Sequence, residues 1–240
     1  MEFMPHNAPL VILTFLGACF GLGVLGLVVL YGSLSGKREL VKYACGLALT
    51  GVSLYGCLLV AFSLASTEKV LAAGEWKYFC EVDCHLAYAV TSVSAAKTLG
   101  AGEHAVSAQG TFYIVTLKTW FDEDTISRRR PRAAPLSPNL RWASVIDEQG
   151  RRFPTSLEGT KALEIPAGRN VPLTQWLRPG ESYETTLVFD LPGDAHNPRL
   201  LLTDPLPLNW LLIGHENSFL HKKVYFRLAA QETSSGVLRP

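Results

Sequence analysis

Residues 3–36 read FMPHNAPLVILTFLGACFGLGVLGLVVLYGSLSG and contain no charged side chain. Residues 43–67 are uncharged as well. A helix needs about 20 apolar residues to cross the hydrocarbon core of a bilayer, and each stretch exceeds that length. The sequence therefore predicts a hairpin of two transmembrane helices, with spans at about residues 9–34 and 42–66.

The segment between the two spans is basic. It contains Lys37, Arg38 and Lys42, whereas Glu2 is the only charged residue before the first span. Cytoplasmic loops are enriched in Lys and Arg, so we expect this connection inside the cell. The first span lacks the basic leader and the clear cleavage site of a secretory signal. These features predict a retained anchor in the bacterial inner (cytoplasmic) membrane, with the N-terminus and the C-terminal domain on the periplasmic or outer face.

Small residues recur in both spans at intervals that allow close helix packing. Gly17 and Gly21 form a GxxxG motif, and Ala44 and Ala48 repeat its spacing. These residues either pack the two helices against each other or form a face that binds another membrane protein. Residues 9–34 and 43–66 contain no charged residue and no His, Asn or Gln, so the sequence predicts no ion or proton pathway.

The rest of the chain has the pattern of a β-sandwich. Short segments of alternating or β-branched and aromatic residues are separated by Pro and Gly. The predicted strands are residues 85–93, 111–121, 140–146, 151–155, 182–191, 199–203 and 224–228. We predict a helical hairpin over residues 1–67, a linker over 68–83, an exported antiparallel sandwich over 84–230 and a flexible tail over 231–240.

Three segments carry a resemblance to a known family. They are GTFYIVTLKTWF at 110–121, DEQGRRF at 147–153 and LRPGESYETTLVFDLP at 177–192. They resemble the bacterial exported immunoglobulin-like domain of the immunoprotective extracellular antigens and of many anchored surface proteins. The resemblance implies an all-β immunoglobulin-like sandwich on a two-helix anchor, acting as a binding or accessory module. A shared fold implies no mechanism.

Cys80 and Cys84 form a C-x3-C motif at the entrance of the first predicted strand. In an oxidising compartment, the simplest expectation is a disulfide that closes a tight turn. The alternative is a copper site, because thiolates bind Cu(I) and the motif resembles that of cytochrome-oxidase assembly chaperones. His215 and His221, in the segment GHENSFLHKK, are the further ligands of this alternative. Side-chain-to-backbone turn bonds are the other interpretation of that segment.

A charged, Pro-rich arm at about residues 123–139 follows the second predicted strand. It is too long for a simple hairpin connection. The arm is either a solvated excursion with internal ion pairs or a surface that binds a partner. The candidate contact residues are Arg128, Arg129, Arg130 and Arg132 on this arm, together with Lys222 and Lys223 near the last strand.

Signatures of catalysis are missing from the sequence: it has no GxSxG, no Walker loop and no GxGxxG between a strand and a helix. We expect a non-catalytic accessory or scaffolding subunit of a larger membrane complex, with a respiratory or photosynthetic electron-transfer complex as the expected assembly. Its partners would be the lipid bilayer and other membrane-protein subunits. Positive and negative charges nearly balance, so no nucleic acid is expected. The alternatives are a periplasmic copper-binding or assembly protein and a free-standing surface binding module.

Overall fold

The computed structural model describes residues 8–81, 84–163, 171–229 and 231–232. Within these residues the chain forms two compact units. The first unit contains the N-terminal helices up to Thr67 together with Leu206–Lys223, and the second contains Glu68–Pro205 and the chain from Val224 onward.

The first unit is built on two long helices, α1 (Ala8–Leu34) and α2 (Arg38–Leu64). Both are long and apolar enough to cross a membrane. They pack against each other, and a Cβ atom at Gly32 would lie 2.8 Å from the Val41 side chain, so only glycine allows this approach. Gly36 makes the turn between them in the left-handed region, at φ +69°. The predicted pair of long apolar helices is confirmed.

The second unit contains ten strands among its described residues. They are β1 (Lys69–Leu71), β2 (Lys77–Cys80), β3 (His85–Leu99), β4 (Val106–Asp122), β5 (Trp142–Ile146), β6 (Arg152–Pro154), β7 (Ser182–Leu191), β8 (Arg199–Thr203), β9 (Val224–Arg227) and β10 (Gln231–Glu232). One sheet has the order β1-β9-β8-β5-β6, and the other has the order β10-β3-β4-β7 with β2 paired to β3. A short helix, α3 (Leu157–Ala162), lies between β6 and β7.

The core lies between the two sheets, so the predicted sandwich-like arrangement is confirmed. Leu86, Tyr88 and Val90, at alternate positions of β3, are fully buried members of this core. Ala87 and Ala89, between them, are buried as well. The opposite sheet contributes a row of cross-strand neighbours, in which Leu200 pairs with both Val145 and Phe226.

A second, smaller core forms where α3 packs on the outer face of the β3 sheet. Its buried members are Leu99, Phe112, Ala162 and Val188. A Cβ atom at Gly159 would lie 2.7 Å from the Val188 side chain, so this glycine sets how closely α3 approaches the sheet.

The sheets are not entirely antiparallel, contrary to the prediction. β1 pairs parallel to β9, and β10 pairs parallel to β3. Both exceptions join segments that are far apart in sequence, so no hairpin turn forces the antiparallel direction.

The predicted domain boundaries also need correction. Residues 68–83, predicted as a linker, contribute β1 and β2. The predicted tail 231–240 begins with the paired strand β10, and residues 233–240 lie outside the described part of the chain. The segment 206–223, predicted as part of the sandwich, belongs to the unit of the two long helices.

Candidate functional site

The glycines of the predicted GxxxG motif do not pack the hairpin. Among the described residues, a Cβ atom at Gly17, Gly21, Gly23 or Gly26 would meet no atom within 4 Å beyond the nearby backbone of α1 itself. The close contact between the helices uses Gly32 instead, and Ala44 on α2 is buried. Of the two interpretations of the motif, packing of α1 on α2 is therefore wrong for Gly17 and Gly21.

The structure draws no bond between the sulfur atoms of Cys80 and Cys84, and the disulfide stays a prediction. Cys80 lies opposite His85 in the β2–β3 ladder, so these two side chains share one face. Cys84 precedes His85 and therefore lies on the other face, where it is buried in the core between the sheets. This placement of the two cysteines on different faces disfavours a disulfide across the hairpin.

On the outer face, Cys80, His85 and Asp122 form a row across three strands. Burial raises the pKa of the Cys80 thiol to about 11, and Glu81 adds to this effect. Burial lowers the pKa of His85 and the nearby Asp122 carboxylate opposes it. Neither ring nitrogen of His85 has a hydrogen-bond partner among the described residues. The row therefore holds a protonated thiol beside a neutral imidazole, which is not an activated nucleophile.

Copper has no assembled ligand set in the described part of the chain, where no group of three or more His, Cys, Asp or Glu side chains could hold a metal ion. His215 is engaged otherwise, because its Nδ1 accepts a hydrogen bond from the backbone of Asn217 at 3.0 Å. Side-chain-to-backbone turn bonds, the other interpretation of this segment, are present.

A buried charged cluster that the sequence did not reveal lies beneath the β2–β3 hairpin. The Arg141 side chain is fully buried and donates to Glu81 at 2.7 Å and to Asp204 at 3.3 Å. Its guanidinium carbon lies 4.4 Å from the centre of the Phe79 ring. Burial raises the pKa of Glu81, and Arg141 opposes that shift. The only sequence signal was an acidic residue, Glu81, inside the C-x3-C motif.

A second buried cation, Lys77, also lies near the Phe79 ring. Lys77 donates to the carbonyl oxygens of Leu202 at 2.7 Å and Val224 at 3.1 Å, and its ammonium lies 5.0 Å from the Phe79 ring centre. These bonds tie β2 to β8 and β9, across the sandwich. The charges therefore fix the position of the β2–β3 hairpin and are not open to a ligand.

The charged arm is anchored near its C-terminal end and at its middle. Leu136 forms a bridge with Leu177, through backbone bonds of 2.8 and 3.1 Å. Arg130 turns back onto the chain, where it donates to the carbonyl of Pro135 at 3.0 Å and lies 5.7 Å from the Phe121 ring centre. The exposed basic residues of the arm are Arg128, Arg129 and Arg132. Arg130 is thus structural, while the other three form a basic tip.

The segment Leu206–Lys223 lies against α2. It begins with a 3-10 helix, Pro207–Leu211. Lys223 folds inward and donates to the Asn217 side chain at 3.1 Å, whereas Lys222 is exposed. The backbone nitrogen of Lys222 donates to the Ser66 hydroxyl at 2.9 Å, just beyond the end of α2.

These features define a class of protein: a β-sandwich domain that follows a pair of long apolar helices, with one loop of the chain laid against the second helix. No family model matches the sequence, and no curated protein matches it.

Several solved structures are similar to the chain. The secreted protein MPT63 from Mycobacterium tuberculosis shares 11% identity over 69% of this chain and 99% of its own, with a TM-score of 0.41. The yjhA protein from Bacillus subtilis shares 15% identity over 65% and 98%, with a TM-score of 0.37. A conserved hypothetical protein from Bacillus anthracis shares 14% identity over 53% and 85%, with a TM-score of 0.38. At these scores, the similarities carry no argument about the function of this chain.

Proposed function

We propose that this chain is a membrane-anchored, non-catalytic accessory subunit. Its two long helices span the cytoplasmic membrane of a bacterium, and its β-sandwich lies on the periplasmic face, where it contacts subunits of a larger membrane assembly. The observation that carries the proposal is the outward surface of α1, which is apolar and carries glycines that pack against nothing.

The exposure of the helices supports the membrane assignment. Large apolar side chains such as Leu13, Phe20 and Leu27 on α1 are each at least 65% exposed. A continuous apolar surface along a 27-residue helix is far larger than the patches that soluble proteins leave in water. In lipid, this apolar surface is no longer exposed to water, so the unfavourable free energy of its exposure disappears. The basic connection at Lys37 and Arg38 favours the cytoplasmic side of the membrane for the turn between the helices.

The glycines support a protein partner in the membrane. Association of helices in lipid depends on close packing, and glycine lets backbones approach. Gly17 and Gly21 lie one turn apart on α1, and the space beside both is open. A helix of another subunit would fit against this surface, and the basic tip of the charged arm offers a second contact outside the membrane.

The test is capture of partners by the tagged full chain from membranes solubilised in mild detergent. We expect the wild type to co-purify with other membrane proteins. In the variant Gly17→Leu/Gly21→Leu, the amount of captured partner protein should fall at least about ten-fold, because two leucines would block the close approach of another helix. Gly46→Leu is the matched control, since Gly46 on α2 also has open space and should tolerate the same side chain. The proteins captured decide whether the assembly is an electron-transfer complex.

A wild-type chain that captures no partner would contradict the proposal and favour a free-standing surface module. Equal capture by the double variant and the wild type would contradict the role of the α1 glycines. The orientation is tested separately by reporter fusions after residue 240: alkaline phosphatase should be active, and green fluorescent protein should be dark. The opposite pattern would place the sandwich in the cytoplasm.

A further inference from the structure

We propose that Leu206–Lys223, which we call the interfacial loop, inserts its apolar side chains into the periplasmic leaflet of the bilayer beside α2. This inference rests on the proposed membrane anchor but not on the existence of a partner subunit. The loop connects β8 and β9, which are neighbouring antiparallel strands, so a short turn would have been enough to join them. The chain instead makes an excursion of some 20 residues to the membrane unit.

Three polar contacts hold the loop along α2. The Tyr55 hydroxyl donates to the carbonyl oxygen of Leu211 at 2.7 Å. The hydroxyls of Ser63 and Ser218 lie 3.4 Å apart, and both serines are buried. The third contact is the bond from the Lys222 backbone to Ser66. The loop therefore follows α2 from Tyr55 to beyond its last turn.

These contacts fix the depth of the loop. Tyr55 precedes the last residue of α2, Leu64, by nine residues, which is about 13 Å along the helix axis. The 27 residues of α2 span about 40 Å, against about 30 Å of hydrocarbon, so a centred helix projects about 5 Å at each end. The Tyr55 backbone then lies about 8 Å inside the hydrocarbon, within the depth range of segments that lie in the membrane interface.

The side chains of the loop are distributed as a lipid environment requires. Trp210 and Phe219 are 66% and 63% exposed, whereas Asn209 and Ser218, their neighbours in sequence, are buried. Leu206, Leu208, Leu211 and Leu220 are also more than 45% exposed. A loop that faces water would turn its polar residues outward, but this loop turns its apolar residues outward.

Six backbone N–H groups of the loop are bonded within the loop, an arrangement that favours a segment that enters lipid. Backbone bonds at 2.9 to 3.4 Å close successive turns, with donors at Asn209, Leu212, His215, Ser218, Phe219 and His221. The bond from Phe219 to the carbonyl of Trp210 brings the two aromatic residues together. Tryptophan is enriched at membrane interfaces, and Lys222 lies at the end of α2, where it reaches lipid headgroups.

The experiment measures how deeply Trp210 enters lipid. The purified full chain is reconstituted into phosphatidylcholine vesicles with and without bromine atoms on the acyl chains, and tryptophan fluorescence is compared. Trp210 is one of five tryptophans, so acyl-chain bromine should quench up to about one fifth of the emission. In Trp210→Phe this quenching should fall at least two-fold. Trp176→Phe is the matched control, because Trp176 is 63% exposed but belongs to the sandwich, and it should keep the wild-type quenching.

Unchanged quenching in Trp210→Phe, or no quenching in the wild type, would overturn the inference. If the quenching depends on protein concentration, a second copy of the chain covers Trp210, and this result would overturn the inference as well. The anchor is tested independently by resistance of the vesicle-bound chain to alkaline carbonate. A chain that resists extraction without quenching at Trp210 contradicts only the loop, whereas extraction of the chain contradicts the membrane anchor itself.

Discussion

Loss of the buried arginine should strongly destabilise the sandwich. In Arg141→Met the aliphatic stem is kept, but the carboxylates of Glu81 and Asp204 lose the cation that lies 2.7 and 3.3 Å away. Both carboxylates are at most 10% exposed, so water cannot replace it. Breaking a buried ion pair in this way costs about 3–5 kcal/mol. For a domain of this size, that is a fall in Tm of roughly 6–20 °C.

The assay is thermal unfolding of the full chain in mild detergent, followed by intrinsic tryptophan fluorescence. The control is Arg199→Met, because Arg199 also pairs with a glutamate, Glu68, but both side chains are partly exposed. An exposed ion pair contributes about 0–1 kcal/mol, so the control should shift Tm by a few degrees at most.

A double variant separates charge burial from packing. In Glu81→Gln/Arg141→Met the nearest uncompensated charge is gone, so the double variant should unfold at a higher temperature than Arg141→Met alone. The reasoning is refuted if Arg141→Met behaves like the Arg199 control. It is also refuted if the double variant is no more stable than the single one, because the cost would then come from lost packing.

The remaining predictions concern the cysteine hairpin, α3 and the pH dependence of stability. Alkylation of the unreduced, unfolded chain followed by peptide mapping should label both Cys80 and Cys84, and recovery of a Cys80–Cys84 disulfide would contradict this expectation. In the folded chain, Cys80 should react with the alkylating agent about two orders of magnitude more slowly at pH 7.5 than an ordinary thiol, because the pKa of Cys80 is about 11. Gly159→Ala should lower stability by about 1–3 kcal/mol through the clash with Val188, whereas Gly193→Ala, where space is open, should change Tm little. Burial lowers the pKa of His85 in the folded state, so the unfolded chain binds the imidazole proton more tightly. The stability of the wild type should therefore fall as the pH drops from about 6.5 through the folded pKa. Across this pH window, Tm should depend less on pH in His85→Phe than in the wild type, and an identical dependence would contradict the assignment.

The sequence predicted elements whose signals are local. The strands Ser182–Leu191 and Arg199–Thr203 begin and end where the pattern indicated, because alternation and the Pro179-Gly180 turn are properties of neighbouring residues. The two long helices were equally clear, since an uncharged stretch longer than a bilayer needs no tertiary information. The segment 111–121 was correctly predicted as a strand, but the strand is longer and covers Val106–Asp122.

The errors arose where partners are distant in sequence. The three-residue strand β1 has no pattern of its own and exists because it pairs with β9, more than 150 residues later. The disulfide was predicted from the spacing of the cysteines alone, and this spacing contains no information on the register that places Cys80 opposite His85. The Arg141 cluster joins residues from three separate segments, and a single sequence contains no signal for such a meeting.

The interfacial loop is bound to α2, whereas the open glycines belong to α1, and this makes the two proposals separable. Tyr55 and Ser63 on α2 contact the loop, and Ser66, just beyond the end of this helix, adds a third contact. Tyr55→Phe removes the hydroxyl that binds the deepest part of the loop, so it should weaken quenching of Trp210 by acyl-chain bromine and leave capture of partner subunits unchanged. Gly17→Leu/Gly21→Leu should do the reverse. If either variant changed both readouts equally, the loop and the α1 surface would form one site, and their separate assignment would be wrong.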